Sequence, residues 1–178
     1  MKLLVFISVF LLISSCKTNY TIDQSSKETK VEFTENINGY TPTKENYSVT
    51  VSKNSSLSIK KDTTGKDYPV IEKGENIVVE FRYLEKGPEG TADGDYSETI
   101  HFEVPSTYEK ISLKDADLQI VDLLYGKHCF CKGEAGYYKV ANGKLLVIIT
   151  ENELSFDVSF TINETSQKVK RVIKTIQL

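Results

Sequence analysis

Only two histidines, His101 and His128, and three cysteines occur among the 178 residues. That scarcity leaves a Ser-His-Asp arrangement little to draw on. The one local cysteine pair is spaced C-x-C, with neither a second pair for a zinc ribbon nor the C-x-x-C of a thiol oxidoreductase. The chain contains no nucleophile elbow, phosphate loop or zinc-protease helix, and no internal repeat, heptad or long low-complexity block. Its apolar run from Leu3 to Ile13 is eleven residues long, short of the ~18 needed to cross a bilayer. A formal charge of −3, spread evenly, argues against a nucleic-acid partner. These absences make an enzyme the less favoured class. Abundant carboxylates, which can pair in ways the sequence does not locate, keep an enzyme without a recognisable motif as an alternative.

What is present begins at the N-terminus. Lys2 gives a positive start, Leu3 to Ile13 an apolar stretch, and Ser14-Ser15-Cys16 closes it with two small residues before a thiol. Residues 1–16 resemble a bacterial lipoprotein signal with its lipobox. The resemblance implies cleavage of the 1–15 signal peptide before Cys16, lipidation (palmitate among the acyl chains) of the Cys16 thiol, and a mature chain of 163 residues. The alternative is an ordinary secretory signal with a chance cysteine. Two or three acyl chains, at ~0.8 kcal/mol per buried methylene, would hold such a protein on its membrane. Lys17, in place of Asp after the cysteine, favours the outer membrane under the sorting rule of enteric lipoproteins.

Residues 16–29 comprise Cys16 and a stretch rich in Ser, Thr and Lys with few large aliphatics, and read as a polar tether. From residue 30 to 178 the chain becomes short runs of Val, Ile, Tyr, Phe and Thr between turn residues. That texture predicts an all-β fold, a single antiparallel β-sandwich. The clearest strand is Glu153 to Ile162, where Leu154, Phe156, Val158, Phe160 and Ile162 alternate with polar residues. Asn142-Gly143 predicts a hairpin between Tyr137–Ala141 and Lys144–Thr150. Further strands are expected at Lys30–Thr34, Tyr47–Ser52, Leu57–Lys60, Asn76–Leu84, Tyr96–Val104, Lys110–Leu113, Leu118–Leu124 and Lys168–Ile176. Lys114–Leu124 offers a weaker helical signal, and β-branched residues favour the strand. Lys168, Lys170, Arg171 and Lys174 read as a solvated strand face.

His128-Cys129-Phe130-Cys131 is the one constellation an ordinary sandwich does not need. Three states are open to it: a Cys129–Cys131 disulfide, reduced packing thiols, or a soft transition-metal or redox site using Cys129, Cys131, His128 and His101. An oxidising export compartment favours the disulfide, although in a strand the two Cα atoms would stand ~6.6 Å apart, so a local bend is required. GEAGYY, residues 133–138, reads as a turn into the next strand, with a ligand-lining face as the alternative. Gly90-Thr91-Ala92-Asp93-Gly94-Asp95-Tyr96, followed by Phe102, Pro105, Lys110-Ile111-Ser112-Leu113, Asp115 and Asp117, is similar to part of a Calx-beta domain over residues 76–117. The resemblance implies calcium ligands at Asp93, Asp95, Asp115 and Asp117, whereas the residues alone also read as plain turn caps. The C-x-C segment and the Asn-Gly turn have no place in that family's pattern.

The reading expected from sequence is a lipid-anchored bacterial envelope lipoprotein whose sandwich is a non-catalytic binding or scaffolding module. It needs no cofactor, and its partners are the membrane and an envelope protein or glycan. The rivals are a metal-binding or thiol redox module centred on the C-x-C segment, and an enzyme with no motif.

Overall fold

Alternating apolar side chains on nearly every strand need a second layer to bury them, and the chain supplies it from its own other half. The computed structural model describes residues 36–37, 46–91 and 93–178. The apolar N-terminal run, Cys16, the tether and the expected strand Lys30–Thr34 lie outside these residues. The strands are β1 (Asn36–Ile37), β2 (Tyr47–Lys61), β3 (Asp67–Glu85), β4 (Tyr96–Val104) and β5 (Lys110–Lys114), then β6 (Leu124–His128), β7 (Gly136–Lys139), β8 (Gly143–Ile149), β9 (Glu153–Phe160) and β10 (Arg171–Gln177). A 3-10 helix, Asp115–Val121, joins β5 to β6. The strands form two antiparallel sheets ordered β1-β10-β9-β8-β5 (sheet A) and β2-β3-β4-β6-β7 (sheet B). The protein is an all-β sandwich. Among the described residues no helix is long and apolar enough to cross a membrane.

The core lies between the sheets. Leu154, Phe156, Val158 and Phe160 of β9 and Val172 of β10 face Val79, Phe81, Ile100, Phe102 and Tyr125 of sheet B, all buried. Phe102 meets Phe156 edge to face at 5.4 Å, and Tyr125 meets Phe160 at 5.7 Å. Such contacts add to the burial of the rings themselves.

Several expectations are corrected. Residues 47–52 and 57–60 belong to one strand, β2, and β3 begins nine residues before the expected Asn76, at Asp67. Leu118–Leu124 is not a strand: Asp115 to Val121 form the 3-10 helix, ended by Asp122 at φ 50°, and the strand that follows is Leu124–His128. Asn142-Gly143 does not close a hairpin. Strand β7 pairs with β6 in sheet B, while β8 pairs with β5 and β9 in sheet A, so the turn is a corner between layers. Gly143, at φ 154°, is required there, because a Cβ would stand 2.2 Å from the Ser159 carbonyl oxygen. Lys174 is not on a solvated face. It is 2% exposed on the inner side of β10, with its ammonium 3.9 Å from the Tyr47 ring centroid.

The loop from β9 to β10, residues 161–170, is tied to sheet B by buried charge. Glu98 accepts hydrogen bonds from the backbone N–H of Lys168 (2.6 Å) and Val169 (2.7 Å). Lys127 donates to Ser166 Oγ (2.7 Å) and the Ser166 carbonyl oxygen (3.0 Å) and pairs with Glu134. The Lys127 ammonium, helped by Ser166 and Thr165, holds the Glu134 carboxyl down at about 2. These bonds satisfy polar groups that the core would otherwise leave stranded.

Candidate functional site

Strands β2 and β3 are longer than sheet B needs, and their excess makes the site. Beyond Lys53 and Ile77 the ladder slips, with Ser55 opposite both Lys73 and Asn76. Asn54 takes a left-handed φ of 51°, and Gly74 sits where a Cβ would lie 2.6 Å from the Ser56 Cβ. A bulge of this kind bends a two-stranded ribbon. The distal ribbon, residues 55–61 paired with 67–73, is therefore an arm bent away from the line of the sheet. At its tip Asp62 Oδ1 accepts from the N–H of Thr64 (2.7 Å) and Lys66 (2.9 Å).

Glu103 on β4 fastens the base of the arm. Its carboxylate accepts from the Leu57 N–H, Ser56 Oγ (3.1 Å) and Asn76 Nδ2. Leu57 of the arm is buried, as are Val78 and Leu124 on the outer side of sheet B, and none of the three belongs to the main core. The arm therefore covers an outer face that would otherwise be wet, and residues 97–102 of β4 are buried on both faces.

Between arm and sheet runs a groove of about 560 Å³. Its floor comes from Glu80 and Arg82 of β3, Ser97, Thr99 and His101 of β4, His128 of β6 and Tyr137 of β7. Pro69 and Ile71 of the arm form the wall. Register assembles the floor: Arg82, Thr99, Gly126 and Tyr137 occupy one row across four strands, and Glu80, His101 and Leu124 occupy the next. Gly126 has a specific part in this row. A Cβ there would meet Thr99 Oγ1 at 2.4 Å and Tyr137 Cε1 at 2.6 Å, so the tyrosine ring lies in the space of the missing side chain.

The Tyr137 ring is flanked by both histidines, His128 at 5.2 Å and His101 at 6.2 Å between centroids, each at a steep angle. His101 Nε2 stands 3.4 Å from Glu80 Oε2. This contact is the main cause that holds the Glu80 carboxyl below its usual range. Burial, then the charges of Arg82 and His101, push His128 below the ordinary histidine value. Burial raises the Tyr137 phenol. Arg82 is exposed and, among the described residues, forms no ion pair. Thr99 and His101 are 5% and 4% exposed, and Thr99 Oγ1 and His101 Nδ1 are buried without a hydrogen-bond partner. A buried polar atom left so costs ~1–3 kcal/mol in an otherwise apolar setting.

The structure separates the sequence candidates. His101 and His128 come together on the floor with Tyr137 between them. Cys129 and Cys131 do not join them in the lining: they are bonded to each other in the bend after β6, with Cα atoms 5.2 Å apart. That segment is not strand, which is why the separation is below the extended value. Phe130, between the two cysteines, is 94% exposed. Asp93 and Asp95 lie in the β3–β4 connection, and Asp95 is taken up by Lys86 Nζ (2.9 Å) and the Gly87 N–H (3.0 Å). Asp115 and Asp117 lie on the 3-10 helix, where Asp115 accepts from the Gly143 N–H. The two acidic pairs sit at opposite ends of β4, because Ser97 pairs with His128 while His101 pairs with Leu124 at the exit of the helix. Among the described residues no three His, Cys, Asp or Glu side chains are grouped as a metal site.

Glu80, Arg82, Ser97 and Thr99 escape a reading of the sequence alone. Ser97 and Thr99 belong to a polar alternation, Ser97, Thr99, His101 and Glu103, on one face of β4, whereas nothing local marks Glu80 and Arg82 of β3. A second groove, about 490 Å³, lies on the outer side of sheet A, where Asp157 and Arg171 pair across it, and no arm among the described residues covers it. Comparison of the chain with protein-family models, curated proteins and solved structures finds no match.

Proposed function

We propose that this chain is a lipid-anchored envelope lipoprotein whose β-sandwich is a non-catalytic binding module, with the groove under the arm as its ligand seat. The observation that carries the reading is the construction of that groove. A ribbon is bent over a sheet face and clasped by Glu103, and beneath it two histidines, a tyrosine, a carboxylate and a guanidinium converge. Concave sites with a few convergent polar groups are the usual form of ligand pockets. Chemistry on a substrate finds less support, since Glu80, the one carboxylate of the floor, is engaged by His101 and no second carboxylate faces it.

The anchor is supported by the residues Leu3 to Cys16. Replacement of Cys16 by Ser should abolish acyl labelling and leave unprocessed precursor or release the protein from the membrane pellet. Unchanged labelling would defeat the anchor. For the seat, a photoreactive residue at Arg82 should capture an envelope component in the native host, while the same residue at Ser112 on sheet A should not. Equal capture at both positions, or none at Arg82, would remove the groove from the function.

A second reading, thiol–disulfide exchange, is favoured by one observation: the Cys129–Cys131 bond flanks a fully presented Phe130 and follows His128. Alkylation and mass spectrometry of the exported protein decide it. A bond that stays oxidised at the redox poise of the envelope makes the segment a structural staple, and one that cycles between states makes it a redox centre.

A further inference from the structure

We infer that the groove beneath the arm takes a neutral, hydroxyl-rich oligosaccharide; this rests on the binding-module reading and names its ligand class. A sugar ring is apolar on its C–H faces and polar around its rim, and the groove has the same division. The Tyr137 ring on the floor and Pro69 and Ile71 on the arm provide apolar surface, and Ile71 remains 40% exposed there. Aromatic rings suit this use because they offer a flat apolar face with a polar tip.

The polar complement matches a polyol better than an ion. Glu80 and Arg82 stand two residues apart on the same side of β3, one a planar pair of acceptors and the other a planar fork of donors. Arg82 can engage two neighbouring hydroxyls and Glu80 a further one through Oε1, the oxygen His101 does not take, and the opposite charges of Glu80 and Arg82 offset each other. Ser97 on the floor adds a hydroxyl that both donates and accepts.

A peptide fits less well. Peptides that bind sheets commonly add to a free edge, whereas β3, β4 and β6 are interior strands of sheet B and turn only side chains to the groove. Among the described residues the unpaired strand edges that border the groove lie at its margins, on 67–73 of the arm, which pairs with 55–61, and on β7, the edge strand of sheet B, which pairs with β6. Phe130, two residues past His128, offers further exposed aromatic surface beyond that end of the floor.

The test uses the full chain in detergent on an array of neutral hexose and N-acetylhexosamine oligosaccharides with their uronic- and sialic-acid counterparts. Selective retention of neutral glycans is expected, with affinity falling at least tenfold in Tyr137→Ala and in Arg82→Ala and unchanged in Lys144→Ala on sheet A. Arg82 is exposed, so its variant keeps the test valid if Tyr137→Ala fails to fold. Binding to none of the glycans, to acidic ones alone, or equally by the groove variants would overturn the inference. Capture of a peptide or protein through Arg82 without glycan binding would overturn the sugar and leave the binding module standing. The absence of both would remove the two together.

Discussion

Phe156 and Asp157 are neighbours in sequence and opposites in consequence. Phe156 is fully buried against Phe102, while Asp157 holds Arg171 on the outer side of sheet A through bonds of 2.7 and 3.0 Å. Phe156→Ala should cost ~3–5 kcal/mol, a cavity plus the lost transfer energy. Asp157→Ala should cost about 1 kcal/mol or less, because the ion pair is exposed to solvent. Chemical denaturation of the two variants checks the assignment of faces, and equal tolerance would contradict it. Gly126 makes a sharper test of the site. Gly126→Ala should destabilise by about 1–3 kcal/mol as an overpacked position and should displace the Tyr137 ring, visible as loss of its ring-current effect on neighbouring protons. An unshifted Tyr137 would show that the ring does not depend on the missing side chain.

At the scale of elements, the arm and the β9–β10 loop are held by different devices and should fail differently. Glu103→Ala removes three hydrogen bonds at the base of the arm, so amide exchange should quicken across residues 55–73 while the amides of β9 keep their protection. Uniform acceleration through β9 would mean that the arm and the sandwich unfold as one unit. The β9–β10 loop depends on Lys127 and Glu134. Because the folded Glu134 carboxyl lies at about 2, against 4.5 for the free group, its contribution is fully present above pH 4.5. It fades as pH falls toward 2. Acid titration of stability should therefore be flatter over that window in Glu134→Gln than in the native chain; an identical pH profile would remove Glu134 from the linkage.

These elements also show how far the sequence could be read. Strand β9 is legible because one of its faces is dry and the other wet, which writes a period of two into the chain. Half of the arm, Leu57–Lys60, is legible as a strand, but its partner 67–73 is not, because Tyr68-Pro69-Val70-Ile71 runs on without alternation. Asn142-Gly143 misleads because a turn signal is local and carries no information about which sheet the next strand joins. Lys174 looks solvated by its charge and lies inside by its register with Phe156. For the site, His101 and His128 stand out in the sequence by rarity, and Tyr137 by its place in GEAGYY. Glu80, Arg82 and Thr99 become neighbours only through the pairing of strands β3, β4 and β6, and nothing in any single segment announces that.

At the scale of the whole molecule, the order of strands sets how the protein must acquire its shape. Strand β1 pairs with β10, bringing Asn36 beside Ile173, and β5 reaches past β6 and β7 to pair with β8. Sheet A and the core it closes are complete only once β10 is present, whereas β2 and β3 can find each other across a five-residue turn. The speed of folding falls as such distant pairings come to dominate, so the sandwich belongs among domains that fold in milliseconds to seconds, with the hairpin as its fastest piece. During that interval the Leu154–Phe160 stripe is unprotected. A chain of this topology depends on being kept from its neighbours while it waits for its own C-terminus.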